Sequence, residues 1–338
     1  MTPMTPNTPS KKIINDPERL VPEILEGLVL ASHGTLKSVD GVNALVRASL
    51  PGDKVGLLIG GGSGHEPMYT AYVGEGLADV SVCGNVFAAP TPDIILAATR
   101  AVDQGKGVLY VYGNYAGDVM NFDMGAELAA AEGIDTRTVL VMDDVAVESH
   151  ADRRGIAGAF YQVKVAGAVC READTLDRAV AAVERVQRNL RSIGVAVGAG
   201  SLPETGEPTF VLPEDELEIG MGAHGEPGIE RRKMMGADEL SREMVRHLVD
   251  DLPFRSGDRV ALLLNDLGAT TQMELMIVNR SVRAALADAG IEVVRTDFGP
   301  YLTCQEMAGF SLTLLKLDDD LERWVDAPCR SLGFSQGE

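Results

Sequence analysis

Three stretches of this chain gather glycine, histidine and acid in a way that allows acid–base or nucleophilic chemistry. They are Ile59-Gly60-Gly61-Gly62-Ser63-Gly64-His65-Glu66-Pro67, Gly113-Asn114-Tyr115-Ala116-Gly117-Asp118 and Gly220-Met221-Gly222-Ala223-His224-Gly225-Glu226-Pro227-Gly228. Clustered glycines admit positive φ and let a ligand approach the backbone. The first stretch lacks the Gly-Lys-Ser/Thr of a phosphate loop, and no GxGxxG with a downstream acid replaces it. His65 is either a ligand-facing group or a loop histidine with structural hydrogen bonds. Its position just past an apolar run favours the first role, because α/β sheets bind ligands outside their strands' carboxyl ends. Asp118 serves either as a base facing that crevice or as the N-cap of the next helix, and the two roles are compatible. His224, set among glycines, has no apolar face to pack on. His33 and His247 fall in helical patterns and His150 in a polar loop, so these three are read as ordinary. Two loop histidines and an aspartate make an acid–base kit, with no GxSxG elbow and no metal-ligand spacing.

The elements that must position these residues alternate in type. Apolar runs at Val55–Ile59, Val80–Cys83, Val108–Tyr112 and Val139–Met142 read as short buried strands. Pro90-Thr91-Pro92-Asp93 opens a helix to about Gln104, with Thr91 as N-cap and Pro92 in the first turn. A second helix follows Asp118 and ends near Gly133. Helical patterns cover Gly155–Gly167 and Asp174–Ile193, the latter a candidate connector. From Ser192 a second set begins, with strands at Glu216–Gly220, Arg259–Leu264, Glu292–Thr296 and Ser311–Leu317 and helices at Asp238–Leu252 and Gln272–Gly290. The alternation predicts an α/β protein. Residues 12–190 form an N-terminal domain with the first two motifs, and residues 191–338 a C-terminal domain with His224. The Thr/Pro-rich residues 1–11 read as a disordered tail.

Bulk properties narrow the function. The chain has 338 residues, 45% of them hydrophobic, enough for a substantial core. Its net charge of −20 argues against nucleic acid and against an anionic membrane surface. No apolar run reaches the roughly 18 residues of a transmembrane helix, and no signal peptide opens the chain. Cys83, Cys170, Cys304 and Cys329 lie far apart, which fits a reduced, cytoplasmic protein.

Taken together and in this order, the three motifs resemble the K subunit of dihydroxyacetone kinases, the substrate-binding subunit. The resemblance runs through Lys12-Ile-Ile-Asn-Asp16, GGGSGHEPM, NYAGDVMNF, Asp143-Asp144-Val-Ala-Val147, Arg153-Arg154-Gly155 and GAHGEPGIERR. It closes with Asn265-Asp-Leu-Gly-Ala-Thr270, Gly309–Lys316 and Trp324-Val-Asp-Ala-Pro328. It implies two α/β domains, each a mixed sheet flanked by helices, in a homodimer. It implies that His224 attacks the ketone of dihydroxyacetone to form a hemiaminal. His65 and Asp118 would hydrogen-bond the substrate hydroxyls, Asp118 being the base for the one phosphorylated. Gly62, Ser63 and Gly64, and Gly113 opposite them, would contact the substrate. The activity implied is a glycerone-type kinase of glycerol metabolism that works only with a partner. In the family ATP, or ADP recharged by an M-type phosphotransferase-system subunit, sits with Mg²⁺ on an L-type subunit, so no cofactor or metal is expected on this chain.

Two departures qualify the resemblance. Gly113 stands where a lysine is expected before NYxGD, and Gly84-Asn85-Val86-Phe87-Ala88-Ala89-Pro90 replaces a Gly-Glu-Val-Phe-Thr-Ser-Pro pattern. Loss of the lysine removes a hydroxyl contact and would free volume, which suggests a larger ketose such as an erythrulose. A reading from another class is a non-catalytic ketose sensor acting on a transcription factor. Such a sensor needs His224 but not Asp118.

Overall fold

The computed structural model describes residues 11–337. Its first half contains α1 (Leu20–Ala31), β1 (Leu36–Ser38), β2 (Ala44–Arg47), β3 (Gly56–Ser63), β4 (Gly74–Glu75) and β5 (Val80–Val86). Then come α2 (Pro92–Val102), β6 (Val108–Gly113), α3 (Ala116–Ala131), β7 (Thr136–Val141), α4 (Ala159–Glu172) and α5 (Leu176–Arg188). The sheet has the order β1-β2-β5-β3-β6-β7. β3 pairs in parallel with both β5 and β6, and β7 pairs in parallel with β6. The chain leaving β3 passes to β5 on one side, whereas the chain leaving β6 passes to β7 on the other. The crevice between the ends of β3 and β6 is therefore the topological switch point where such sheets bind ligands. His65 and Asp118 follow those two strands.

In the second half are β8 (Leu190–Gly198), β9 (Glu216–Ile219), β10 (Glu230–Lys233), α6 (Ala237–Asp251), β11 (Arg259–Asp266) and α7 (Gln272–Asp288). After them come β12 (Glu292–Gly299), β13 (Ala308–Leu317), α8 (Asp319–Val325), β14 (Cys329–Ser331) and β15 (Ser335–Gln336). The second sheet, β10-β9-β8-β13-β11-β12, is mixed: β11 and β12 run parallel and the other pairs antiparallel. His224 lies in the connection from β9 to β10. A small sheet, β15-β14-β4, returns the end of the chain to the first half.

Periodicity explains how the layers stack. Along β11, Val260, Leu262 and Leu264 pack with α6 and α7, while Ala261 and Leu263 face the opposite way. The latter join one cluster with Leu57 and Leu109 of the first sheet and Phe160 and Tyr161 of α4. α4 is buried on every face from Ala159 to Cys170, as a helix enclosed by other layers must be. One continuous apolar core thus fixes the first half against the second.

Several expectations shift. The helix expected over Asp174–Ile193 stops at Arg188, and Leu190 already belongs to β8. α4 begins at Ala159, four residues later than the pattern from Gly155 suggests. His33 sits just beyond α1 at φ +50° rather than within a helix. The reading of residues 1–11 as a tail falls, for residues 1–10, outside the described residues. No described helix is long and apolar enough to cross a membrane.

Candidate active site

A small cleft is lined by Gly61, Gly62, His65, Tyr69, Tyr115, Asp118, Gly155, Ala223, His224 and Leu302. The fold thus brings the three expected side chains together, His65 and His224 from loops and Asp118 from the first turn of α3. Gly62 admits no side chain, since a Cβ there would lie 2.8 Å from the Ala88 backbone nitrogen. That tight contact seats Phe87, whose ring packs on His65 and His224 with centroids 5.0 and 5.3 Å away. Phe87 takes φ +55°, a left-handed conformation that is unfavourable for a bulky residue.

The two histidines meet directly. His65 Nε2 lies 3.0 Å from His224 Nε2. The other nitrogen of His65, Nδ1, lies 2.7 Å from Thr303 O, which as a carbonyl only accepts, so Nδ1 donates. His224 Nδ1 lies 2.9 Å from Glu226 Oε1. Burial would raise the Glu226 carboxyl, but hydrogen bonds and charge from His224 outweigh it and bring the acid down to about 2. Glu226 is therefore an acceptor, and His224 Nδ1 also donates. With both Nδ1 atoms protonated, the Nε2–Nε2 contact is a hydrogen bond only if one Nε2 carries a proton. The pair then holds one proton beyond neutrality. Burial first, and the charge of His224 second, push His65 down to about 3, so its own Nε2 is unprotonated.

Asp118 belongs to the first turn of α3, whose N-cap is Tyr115. The reading of Asp118 as the cap is thereby corrected. Its Oδ1 is buried without a hydrogen-bond partner. Burial pushes the acid up to about 6, and the neighbouring His224 only partly offsets this. An orphan carboxylate oxygen facing a cleft is a hydrogen-bond acceptor waiting for a hydroxyl.

Other expected contacts fall elsewhere. Ser63 turns its hydroxyl to Gly84 O at 2.8 Å, and neither Ser63 nor Gly64 lines the cleft. Gly113 also lies behind the lining, because a Cβ there would meet the Tyr115 ring at 3.0 Å and the Tyr69 hydroxyl at 3.5 Å. The space expected from a missing lysine is thus taken up by two tyrosines. Tyr115 stands edge-on to His224 with centroids 4.8 Å apart, and its hydroxyl donates to Gly155 O at 3.0 Å. Tyr69, Tyr115, Phe87, Glu226 and Thr303 escaped the sequence reading. Glu226 and Tyr115 carried a signal, as members of the motifs of His224 and Asp118, and Phe87 lay in the noted Gly84–Pro90 segment. Among the described residues no group of His, Cys, Asp and Glu is placed to hold a metal ion.

Residues 26–333 match the Dak1 domain. The chain is 42% identical to the dihydroxyacetone-binding subunit DhaK of PTS-dependent dihydroxyacetone kinase 1 from Listeria innocua, over 94% of this chain and 96% of that one. It is 38% identical to the D-erythrulose kinase of Mycolicibacterium smegmatis, covering 96% of this chain but 57% of that longer protein. The structure superposes on a dihydroxyacetone kinase operon co-activator with a TM-score of 0.89 at 31% identity, over 94% and 99% of the two chains. The dihydroxyacetone kinase of C. freundii gives the same score at 29% identity, over 97% of this chain and 60% of that one.

Proposed function

The chain belongs to the Dak1 family, that of the dihydroxyacetone-binding K subunits of dihydroxyacetone kinases, and from that premise we propose that it captures a short-chain ketose covalently on His224 and presents a terminal hydroxyl for phosphorylation. The observation that carries the reading is the contact of His65 Nε2 with His224 Nε2 at 3.0 Å. When a proton held in that contact sits on His65 Nε2, the His224 Nε2 lone pair is free to attack the ketone carbon. The C=O π electrons move to oxygen, which takes the proton back from His65. The product is a neutral hemiaminal hydroxyl on a carbon bonded to an imidazolium, whose Nδ1–H stays on Glu226. Charge and protons balance without exchange with solvent.

Such a bond suits a ligand this small. Non-covalent binding saturates near ~1.5 kcal/mol per non-hydrogen atom, so a triose gains affinity from a covalent link that contacts cannot supply. It also discriminates, since glycerol has no carbonyl. Asp118 then accepts the proton of the terminal hydroxyl as its oxygen attacks phosphorus. We place the phosphoryl donor on an L-type partner holding ATP, or ADP recharged by an M-type subunit, with Mg²⁺. The chain acts there as a cytoplasmic homodimer. The test is capture and transfer measured separately: His224→Ala loses capture, while Asp118→Asn captures ketose but does not pass phosphate. An Asp118→Asn subunit that still supports transfer would overturn the role of the carboxylate.

Two refinements have specific support. Erythrulose kinases are among the relatives, so the preferred ketose is tested by comparing dihydroxyacetone with D- and L-erythrulose. A clear preference for dihydroxyacetone over both removes the ketotetrose reading. The likeness to an operon co-activator keeps open a sensing role. The orphan carboxylate of Asp118 favours the kinase, because sensing requires only capture.

A further inference from the structure

The paired acids and paired arginines of the sequence, Asp143-Asp144 and Arg153-Arg154, have no role in the chemistry above, yet one of them reaches the loop that carries His224. Arg154 lies in the connection that follows β7, with only 12% of its side chain exposed, against a fully buried Asp144. Its Nε and Nη2 contact Asp144 Oδ2 at 2.9 and 2.7 Å. Nη2 also donates to Gly220 O at 2.8 Å, and Nη1 reaches Pro227 O at 3.4 Å. Gly220 and Pro227 are the two shoulders of the loop bearing His224 and Glu226. One guanidinium therefore ties both shoulders, which lie in the β9–β10 connection of the second half, to a buried carboxylate of the first half. Asp144 is itself held, its Oδ1 accepting from the Ala146 backbone at 3.0 Å.

Gly222 shows how close this assembly is. A Cβ there would lie 2.7 Å from Arg154 Nη1 and 2.2 Å from Glu226 Oε2. Guanidinium, loop and the carboxylate that orients His224 thus meet around one glycine. Arg153 does a different job, donating to Val147 O at 3.1 Å and pairing with Asp251.

We infer that Arg154 is a positioning residue for the covalent step, holding the His224 loop where Nε2 meets His65. The inference rests on His224 being the nucleophile. A planar fork serves one carboxylate and two carbonyls at once, which the point charge of lysine does not.

The test follows dihydroxyacetone labelled with carbon-13 at its carbonyl, mixed with wild type, Arg154→Lys, Arg154→Met and Gly222→Ala. Each variant is checked by circular dichroism. The expected result is that folded Arg154→Lys and Arg154→Met capture ketose at least about tenfold more weakly, as loss of a charge-assisted hydrogen bond implies. The remaining bound ketose shifts from tetrahedral to carbonyl carbon, and methylguanidine partly restores the tetrahedral signal in Arg154→Met. A purely structural role does not respond to a small added cation. Gly222→Ala lowers capture in the same way. If Arg154→Met does not fold, Arg154→Lys decides: capture equal to wild type overturns the inference. A wild type without any His224-dependent adduct would instead bring down the reading on which the inference depends.

Discussion

At the residue scale, the site separates two carboxylates by environment. Glu226 is held down to about 2 by its bonds to His224, whereas burial lifts Asp118 to about 6. An acid raised in this way is the working base only above its pKa. Phosphoryl transfer is therefore predicted to be flat above about pH 7 and to fall about tenfold for each unit below about 6, while capture persists. Parallel pH profiles of capture and transfer check this, and coincident profiles would refute it. Glu226→Gln should weaken capture about tenfold, because an amide can donate as well as accept and so no longer fixes the His224 tautomer. Titration of ketose by calorimetry shows the loss. His65, Asp118 and His224 were legible in the sequence because each stands in a glycine-rich motif after a strand. Thr303 was not, for it reaches His65 only through the fold, from 238 residues away. Tyr69 and Tyr115 stand close in sequence to His65 and Asp118, yet only the fold shows that their rings fill the space beside Gly113.

At the scale of elements, the crevice depends on how β3 and β5 are held. Asp79, just before β5, accepts from the Leu57 backbone at 2.9 Å and pairs with Lys54 and Arg47 in a buried cluster. Asp79→Ala leaves buried Lys54 without its counter-charge and should cost about 3–5 kcal/mol, read as a fall in denaturation midpoint. At the other end of β3, Gly62→Ala drives a methyl into the Ala88 backbone; it should cost about 1–3 kcal/mol and weaken capture together. The strands read from apolar runs hold to within a few residues, whereas β2 went unread. β10 also went unread, because Glu-Arg-Arg-Lys has no apolar signal and is held at the sheet edge by pairs such as Arg231 with Glu218. The stretch Leu190–Ile193 was taken for a helix end because a short apolar run serves either state.

At the scale of the molecule, the cluster that joins Leu57 and Leu109 with Leu263 and Leu315 predicts that both halves unfold in one transition. A calorimetric trace with two separate peaks would contradict that. Ligand linkage gives a second check: ketose at about a hundred times its dissociation constant should add about 2.7 kcal/mol to stability, and His224→Ala should abolish the gain. The net charge of −20 was clear from composition, whereas how the halves face each other was not. The central claim is that a ketose becomes covalently bound through His224. Carbon-13 spectroscopy of carbonyl-labelled dihydroxyacetone and erythrulose on the intact protein tests it most directly. A tetrahedral carbon signal that disappears in His224→Ala is the predicted result. Bound ketose that keeps its carbonyl signal, equally in wild type and variant, would contradict the account.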